Sequence, residues 1–363
     1  MTAIALGVPV IRTAPGDSEL PPLADRPISP GLIDSYGRRA SDLRISLTDR
    51  CNLRCTYCMP AEGLDWAPTS ELLSDEEIGR LIRIATERLG IEEIRFTGGE
   101  PLLRKGLPAI IRTAAALPNR PMMSLTTNGL GLHRRAAEFA AAGLDRVNIS
   151  LDTIRRDRYL AITRRDRLDD VLSALVAAQE AGLGPVKINA VLLRGVNDDE
   201  AADLLAFAVD GGYQLRFIEQ MPLDAGHQWH RSEMVTAEEI HATLATRFAL
   251  SPHRAPREGS PAELFDVRSR SGGDVLGTVG VIASVSKPFC GDCDRTRLTS
   301  DGQVRTCLFS TSETDLRVLL RGSADDEEIA ETWRIAMWGK RFGHGIDNPD
   351  FRQPDRPMSA IGG

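Results

Sequence analysis

The sequence predicts an α/β protein: an open, partial (β/α)6 barrel followed by a smaller α+β region. From Leu43 onward, short apolar or β-branched runs alternate with amphipathic helical stretches, the pattern of repeated βα units on a parallel sheet. Six such units fall two short of a closed barrel, so the sheet stays open. After about Thr236 the alternation gives way to shorter strands among Pro and Gly. A chain of 363 residues is long enough for this barrel and an appendage.

Residues 1–35 carry Pro9, Pro15, Pro21, Pro22, Pro27 and Pro30 with little periodicity, which predicts an extended or disordered arm. Residues 36–235 form the barrel, with strands near Arg44–Leu47, Glu93–Thr97, Met123–Thr126, Arg146–Ser150, Val186–Val191 and Gln214–Glu219. Ser74 and Glu77 make a capping box at the head of the first long helix, whose apolar face is Ile78, Leu81, Ile82 and Ala85 and which stops at Gly90. Val171, Leu172, Leu175 and Ala178 form a second stripe, and Ala201, Leu204, Leu205 and Ala208 a third. Residues 236–340 read as a separate C-terminal α+β domain. It holds a helix over Ala237–Arg247, strands at Leu264–Val267, Val275–Thr278 and Val281–Ser284, and helices near Glu313–Leu320 and Asp325–Trp338. Residues 341–363 are an irregular tail ending in Gly362 and Gly363. The acidic run Asp325–Glu328 is read as a solvated helix start, favoured by the dipole.

Composition narrows the function classes. With 42% hydrophobic and 26% charged residues the chain is an ordinary soluble one. A net charge of −7 and a pI of about 5.5 provide no global field for nucleic acid or an anionic membrane, so an anionic substrate would need local arginines. No apolar run approaches the roughly 18 residues of a membrane span. Met1–Ile11 has no basic residue ahead of it and no small-residue cleavage site behind it, so a cytoplasmic location is expected. All six cysteines fall into two triplets at metal-like spacing, against a disulfide framework.

Cys51, Cys55 and Cys58 can wrap one short loop around a metal centre while leaving one coordination position open. Spacing alone favours an iron–sulfur cubane with a free iron, with zinc and isolated structural thiols as alternatives. The motif resembles that of the radical S-adenosylmethionine (radical SAM) family, in which the open iron is chelated by S-adenosylmethionine (SAM). The second group, Cys290, Cys293 and Cys307, with Arg295–Thr296–Arg297 just after Cys293 and a Gly–Gly terminus, narrows the likeness. It points to the GTP-cyclising branch of that family, over about Tyr36–Gly363.

What the resemblance implies can be stated residue by residue. The first triplet would hold a 4Fe–4S cluster, and Tyr57, Gly99, Ser150 and Met221 would line the SAM pocket. The glycines of Thr97-Gly98-Gly99-Glu100-Pro101 are otherwise a plain βα turn, and Met221 otherwise core. Arg44, Arg95, Thr126, Lys187, Arg295, Thr296 and Arg297 would bind GTP, whose phosphates need guanidinium forks, although any one of these cations alone would pass for surface solvation. The second triplet would hold another 4Fe–4S cluster whose free iron meets the guanine. Zinc completed by a distant His253 or His344 is the alternative. Arg295, Arg297, Gly362 and Gly363 would act in the radical step, where bare glycines at a terminus are otherwise a frayed tail. His227 and His230 read as surface histidines.

The implied activity is removal of the C3' hydrogen of GTP by a 5'-deoxyadenosyl radical and closure onto C8, giving the 3',8-cyclised dihydro product at the start of molybdenum cofactor synthesis. Implied partners are an electron donor such as flavodoxin or ferredoxin and the downstream cyclic pyranopterin monophosphate synthase; a homodimer is compatible with the resemblance. Two rivals stand beside this reading. One is another radical SAM enzyme with an auxiliary cluster, such as a peptide-modifying maturase. The other is a non-catalytic iron–sulfur or zinc module.

Overall fold

A run of five or six residues with alternating apolar and polar side chains, repeated six times, generates the central sheet. The structure is a computed structural model that describes residues 11–12, 21–255, 257 and 259–362. Residues 1–10 and 13–20 of the Pro-rich arm, residues 256 and 258, and Gly363 lie outside the described residues. The parallel strands are β1 (Asp42–Ser46), β2 (Glu93–Thr97), β3 (Met122–Thr127), β4 (Arg146–Ser150), β5 (Lys187–Val191) and β6 (Gln214–Ile218), within two residues of the expected bounds. Crossovers carry α1 (Asp75–Arg88), α2 (Leu107–Ala115), α3 (Ala136–Ala142), α4 (Arg156–Thr163), α5 (Leu168–Glu180) and α6 (Ala201–Asp210). The capping box at Ser74 and Glu77 is formed as read.

Side-chain alternation divides the sheet into two faces. Leu43, Ile45, Ile94, Phe96, Met123, Leu125, Val147, Ile149, Ile188, Leu215 and Phe217 are fully buried in one continuous apolar core that also takes the inner stripes of α1, α2, α3, α5 and α6. The intervening positions, among them Asp42, Arg44, Ser46, Ser124, Asn148, Lys187 and Arg216, are buried and polar. They face the concave interior.

The region after residue 236 differs from expectation. It carries α7 (Ala237–Ala245), β7 (Phe248–Pro252), β8 (Glu263–Ser269), β9 (Gly277–Ile282), β10 (Arg295–Leu298), β11 (Gln303–Arg305) and β12 (Glu313–Asp315). Then come α8 (Arg317–Arg321), α9 (Asp326–Trp338) and, within the tail, α10 (Met358–Ile361). These strands build no second sheet. They extend the barrel at both edges, in the order Ile11–Arg12, β12, β11, β10, β1, β2, β3, β4, β5, β6, β9, β8, β7. The two strands expected at 275–278 and 281–284 are the single β9, interrupted in sequence by Gly280. A Cβ there would come within 3.0 Å of Ala262 Cβ and 3.2 Å of the Arg216 and Leu264 side chains, so the glycine makes room for Arg216 on β6 and for its neighbours. Likewise Glu313–Asp315, expected as helix, pairs with β11 as a strand.

Helix α9 closes the back of β10. Trp333 is fully buried, and its indole Nε1 donates to Thr296 Oγ1 at 3.0 Å. Arg80 and Arg83 of α1 both reach Asp326 at the helix head. Replacing Trp333 with Ala is therefore expected to cost about 3–5 kcal/mol of stability in the cluster-free protein, read from the denaturant midpoint, with Trp333→Phe costing less.

Candidate active site between two cysteine triplets

Register places a row of cations across the concave face. Arg297, Arg44 and Arg95 are Cα partners on adjacent strands, continued by Ser124 and Arg146. Asn148 partners Lys187, and Asn189 partners Arg216. Arg44 meets Asp42 only at 3.6 Å, and its Nε and Nη2 have no hydrogen-bond partner; Arg216 Nε is also unpaired. Burial and the neighbouring arginines lower the Arg44 and Arg297 guanidiniums to about 9 and Arg216 to about 10, and push Lys187 down to about 7. Such a set of buried like charges with open donors is built for a polyanion. Arg95 donates to Ser124, and Thr126 accepts from Asn148 on the same face.

Thr296 does not join this group. Its position faces the core with Leu43, and its hydroxyl accepts from Trp333, so any substrate contact would fall to its backbone. Arg146 and Arg216, which sequence reasoning passed over, do join it. Their signal was available in the alternation: Arg216 lies one strand from Lys187, and Arg146, paired with Glu93, lies four residues before Ser150.

The first triplet follows β1. Its loop is fastened from outside: the backbone N–H groups of Arg54 and Thr56 donate to the carbonyls of Thr163 and Ile162, and Arg164 donates to the carbonyls of Arg54 and Met59. Asn128 donates to Asn52 at 2.7 Å and lies 3.9 Å from the Cys51 sulfur. Gly98 and Gly99 press against this loop. A Cβ on Gly99 would lie 2.3 Å from the Arg50 carbonyl oxygen, and one on Gly98, whose φ is +143°, 2.5 Å from that of Thr48. The glycine pair thus admits the loop backbone, seated by Gly99 N–H to Thr48 O and Glu100 N–H to Arg50 O, both at 2.7 Å. Buried Glu100, raised to about 7 by desolvation, ties the turn to Thr127 and Asn128.

Tyr57 directs its hydroxyl to Asp152 at 2.9 Å and lines a cavity of about 200 Å³ together with Thr56, Leu193, Gln220 and Trp229. Ser150 ends β4 on the concave side, and Met221 packs between Leu223 and Ile361 on one flank and Met234 and Val285 on the other.

All six thiols are free. Among the described residues, no three His, Cys, Asp or Glu side chains are gathered tightly enough to hold a single metal ion. Within each triplet, however, the sulfurs act on one another electrostatically. Burial pushes the Cys51, Cys55 and Cys290 thiols up, and Cys58 to about 12. Three thiolates can coexist there only with a compensating metal charge, which fits the donor chemistry of an iron–sulfur cluster with one iron left open.

The second triplet sits at the other end of the same strand pair. Cys293 precedes Arg295 by two residues, and Cys307 follows Arg305 by two on antiparallel β11, which brings both to one edge. The four paired residues of β1 and β10, roughly 10–13 Å of strand, separate this edge from the Cys51 loop. Cys293 is lowered despite burial by Lys340 and Arg295. The His344 ring is engaged at both nitrogens, with Ser284 O and Ile346 N–H, and His253 bonds Asp266, so neither imidazole is directed at the triplet. His227 and His230 are exposed.

Between the triplets lies Gly362, the last described residue. Arg297 Nη1 donates to the Gly362 carbonyl, and Ile361 is fully buried. Gly362 has φ +84°, and a Cβ would lie 2.6 Å from Thr97 Cγ2, so the seat accepts only glycine without adjustment.

Residues 45–208 match the radical SAM superfamily, and residues 213–346 match the description Molybdenum Cofactor Synthesis C. A curated GTP 3',8-cyclase from Streptomyces coelicolor is 65% identical, covering 92% of this chain and 96% of its own. One from Mycobacterium marinum is 59% identical over the whole of both. The chain belongs to the GTP 3',8-cyclase family. Among solved structures, Streptococcus suis SuiB bound to its precursor peptide SuiA matches with a TM-score of 0.54 at 13% identity, covering 85% of this chain and 67% of that one, a likeness of fold alone. As a radical SAM member of the cyclase family, the chain uses SAM and 4Fe–4S clusters. Gly99→Ala should therefore displace the Cys51 loop and lower anaerobically reconstituted iron by about half, the second site staying loaded; iron and sulfide assays read this directly.

Proposed function

We infer that this protein converts GTP to (8S)-3',8-cyclo-7,8-dihydroguanosine 5'-triphosphate, the first step of molybdenum cofactor biosynthesis. The observation that carries the reading is the buried row of open guanidiniums between two thiol triplets. When bound, SAM on the first cluster supplies the radical that takes the C3' hydrogen, a chemistry that belongs to the cofactors. The protein binds, orients and shields. Cys51, Cys55 and Cys58 hold the first cluster, with Tyr57, Gly99, Ser150 and Met221 around SAM. Cys290, Cys293 and Cys307 hold the second, on the guanine side. Arg44, Arg95, Thr126, Lys187, Arg295 and Arg297, to which Arg216 is added, take the phosphates and ribose. Bound phosphate relieves the mutual repulsion of these cations, so orientation is bought with charge already stored in the fold.

Gly362 and Gly363 complete the site, the first through the Arg297 contact. Electrons come from a small carrier of the flavodoxin or ferredoxin class, and the product passes to cyclic pyranopterin monophosphate synthase. Among the described residues no helix is long and apolar enough to cross a membrane, compatible with a cytoplasmic site of action.

The deciding experiment is anaerobic iron and sulfide content with GTP binding on one sample, expected at about eight irons per chain with one nucleotide. Cys55→Ser should abolish 5'-deoxyadenosine formation, and unimpaired cleavage by that variant overturns the assignment. Arg297→Ala should weaken GTP about 10–100-fold while changing guanosine far less, since the lost bond is charge-assisted; isothermal titration with both ligands checks it.

Lys187 gives the site a pH dependence. Its pKa of about 7 in the free protein means that it is charged below that value, and a bound anion raises it. GTP affinity should therefore fall as pH climbs from about 7 to 9, a range above the nucleotide's own last phosphate step. Lys187→Arg should flatten that slope.

A further inference from the structure

Lys340, just after α9, is buried with 3% of its surface exposed. Its ammonium uses all three N–H groups around the second triplet, donating to Arg295 O at 2.8 Å, Cys293 O at 3.2 Å and Cys293 Sγ at 3.3 Å. It makes no carboxylate ion pair among the described residues. A buried ammonium without a carboxylate is costly unless another anion faces it, and among the described residues the anion-forming group that its N–H groups meet is the Cys293 sulfur.

Donors are unevenly shared within this triplet. Cys293 also receives the Arg295 backbone N–H, whereas Cys290 receives the backbone N–H of His344. The lysine is fixed in place: α9 is anchored by Trp333 and by Asp326 to α1, and the Lys340 N–H closes onto Met337 O at 3.0 Å.

We propose that Lys340 is a positioning residue that raises the reduction potential of the second cluster, through a charge and an N–H donor held on the Cys293 sulfur. Positive charge and hydrogen bonds at cluster sulfurs favour the more negatively charged reduced state. The inference rests on the reading that Cys290, Cys293 and Cys307 hold a 4Fe–4S cluster. It adds that the two clusters of one chain are poised differently by protein groups: the side-chain donor nearest the Cys51 sulfur is the neutral Asn128, with Arg54 turned to the Cys51 carbonyl, whereas the donor on the Cys293 sulfur is itself a cation.

The test is an EPR-monitored redox titration of the fully reconstituted protein, with the first cluster as internal reference. Lys340→Met keeps the length and apolar stem of the side chain. Its second cluster should titrate at a more negative potential than wild type, Lys340→Arg should stay close to wild type, and the first cluster should be unmoved in both. A purely structural role would leave the potential unchanged in any variant that retains about eight irons, and that result overturns the inference. Should Lys340→Met lose the second cluster, Lys340→Gln, which keeps an N–H donor without charge, carries the same comparison. Loss of that cluster in both neutral variants would overturn tuning in favour of a role in assembly. Wild-type protein with only about four irons would instead overturn the reading of the triplet, and the inference with it.

Discussion

Buried positive charge gathered on one face of a sheet is the constraint on which the rest of the structure depends. Arg44, Arg297, Lys187 and Arg216 are almost out of water, and the carboxylates of Asp42, Glu93 and Asp294 answer only part of their charge. A concave face of this kind repels itself, so the fold must be secured elsewhere. It is secured on the reverse face, where alternate residues of the same strands are fully apolar and take the helix stripes. The six-fold alternation thus separates two tasks that would conflict on one surface.

The same division explains why the ends of the strands matter. The carboxyl ends carry the first thiol loop and its glycine seat, while the opposite edge carries the second triplet. The cations lie in between, within the strands. They run along the concave face for much of the strand length, and the Gly362 carbonyl, just after α10, reaches Arg297. A carbonyl there partly satisfies one guanidinium without neutralising it, leaving its charge available.

What was legible in the sequence was local. The Cys51 loop, the Ser74 capping box and the six parallel strands each announce themselves within a few residues, through thiol spacing, side-chain oxygens at a helix start, or apolar runs. What was not legible depends on pairing across the chain. Gly280 reads as a break, yet it is a relief for Arg216 one strand away. Thr296 reads as a neighbour of two functional arginines, yet alternation turns it toward Trp333. Gly98 and Gly99 read as a turn beside a ligand, and pairing adds a second need for them, room for the backbone of the Cys51 loop. Lys340 carries no motif; only the arrival of α9 behind β10 gives it meaning.

The edge strands have a consequence for biosynthesis of the protein itself. β1 and β6 end the parallel barrel, and each is covered by a strand from far along the chain, β10 with Arg297 opposite Arg44 and β9 beside β6. A ribosome emits the barrel with both margins bare, and they remain so until the last third of the polypeptide emerges. During that interval two unpaired strand edges and a pocket of uncompensated arginines are exposed together, a state prone to edge-to-edge association. Residues 277–282 cover the β6 margin and residues 295–298 the β1 margin, so a copy that ends before them lacks a sealed sheet.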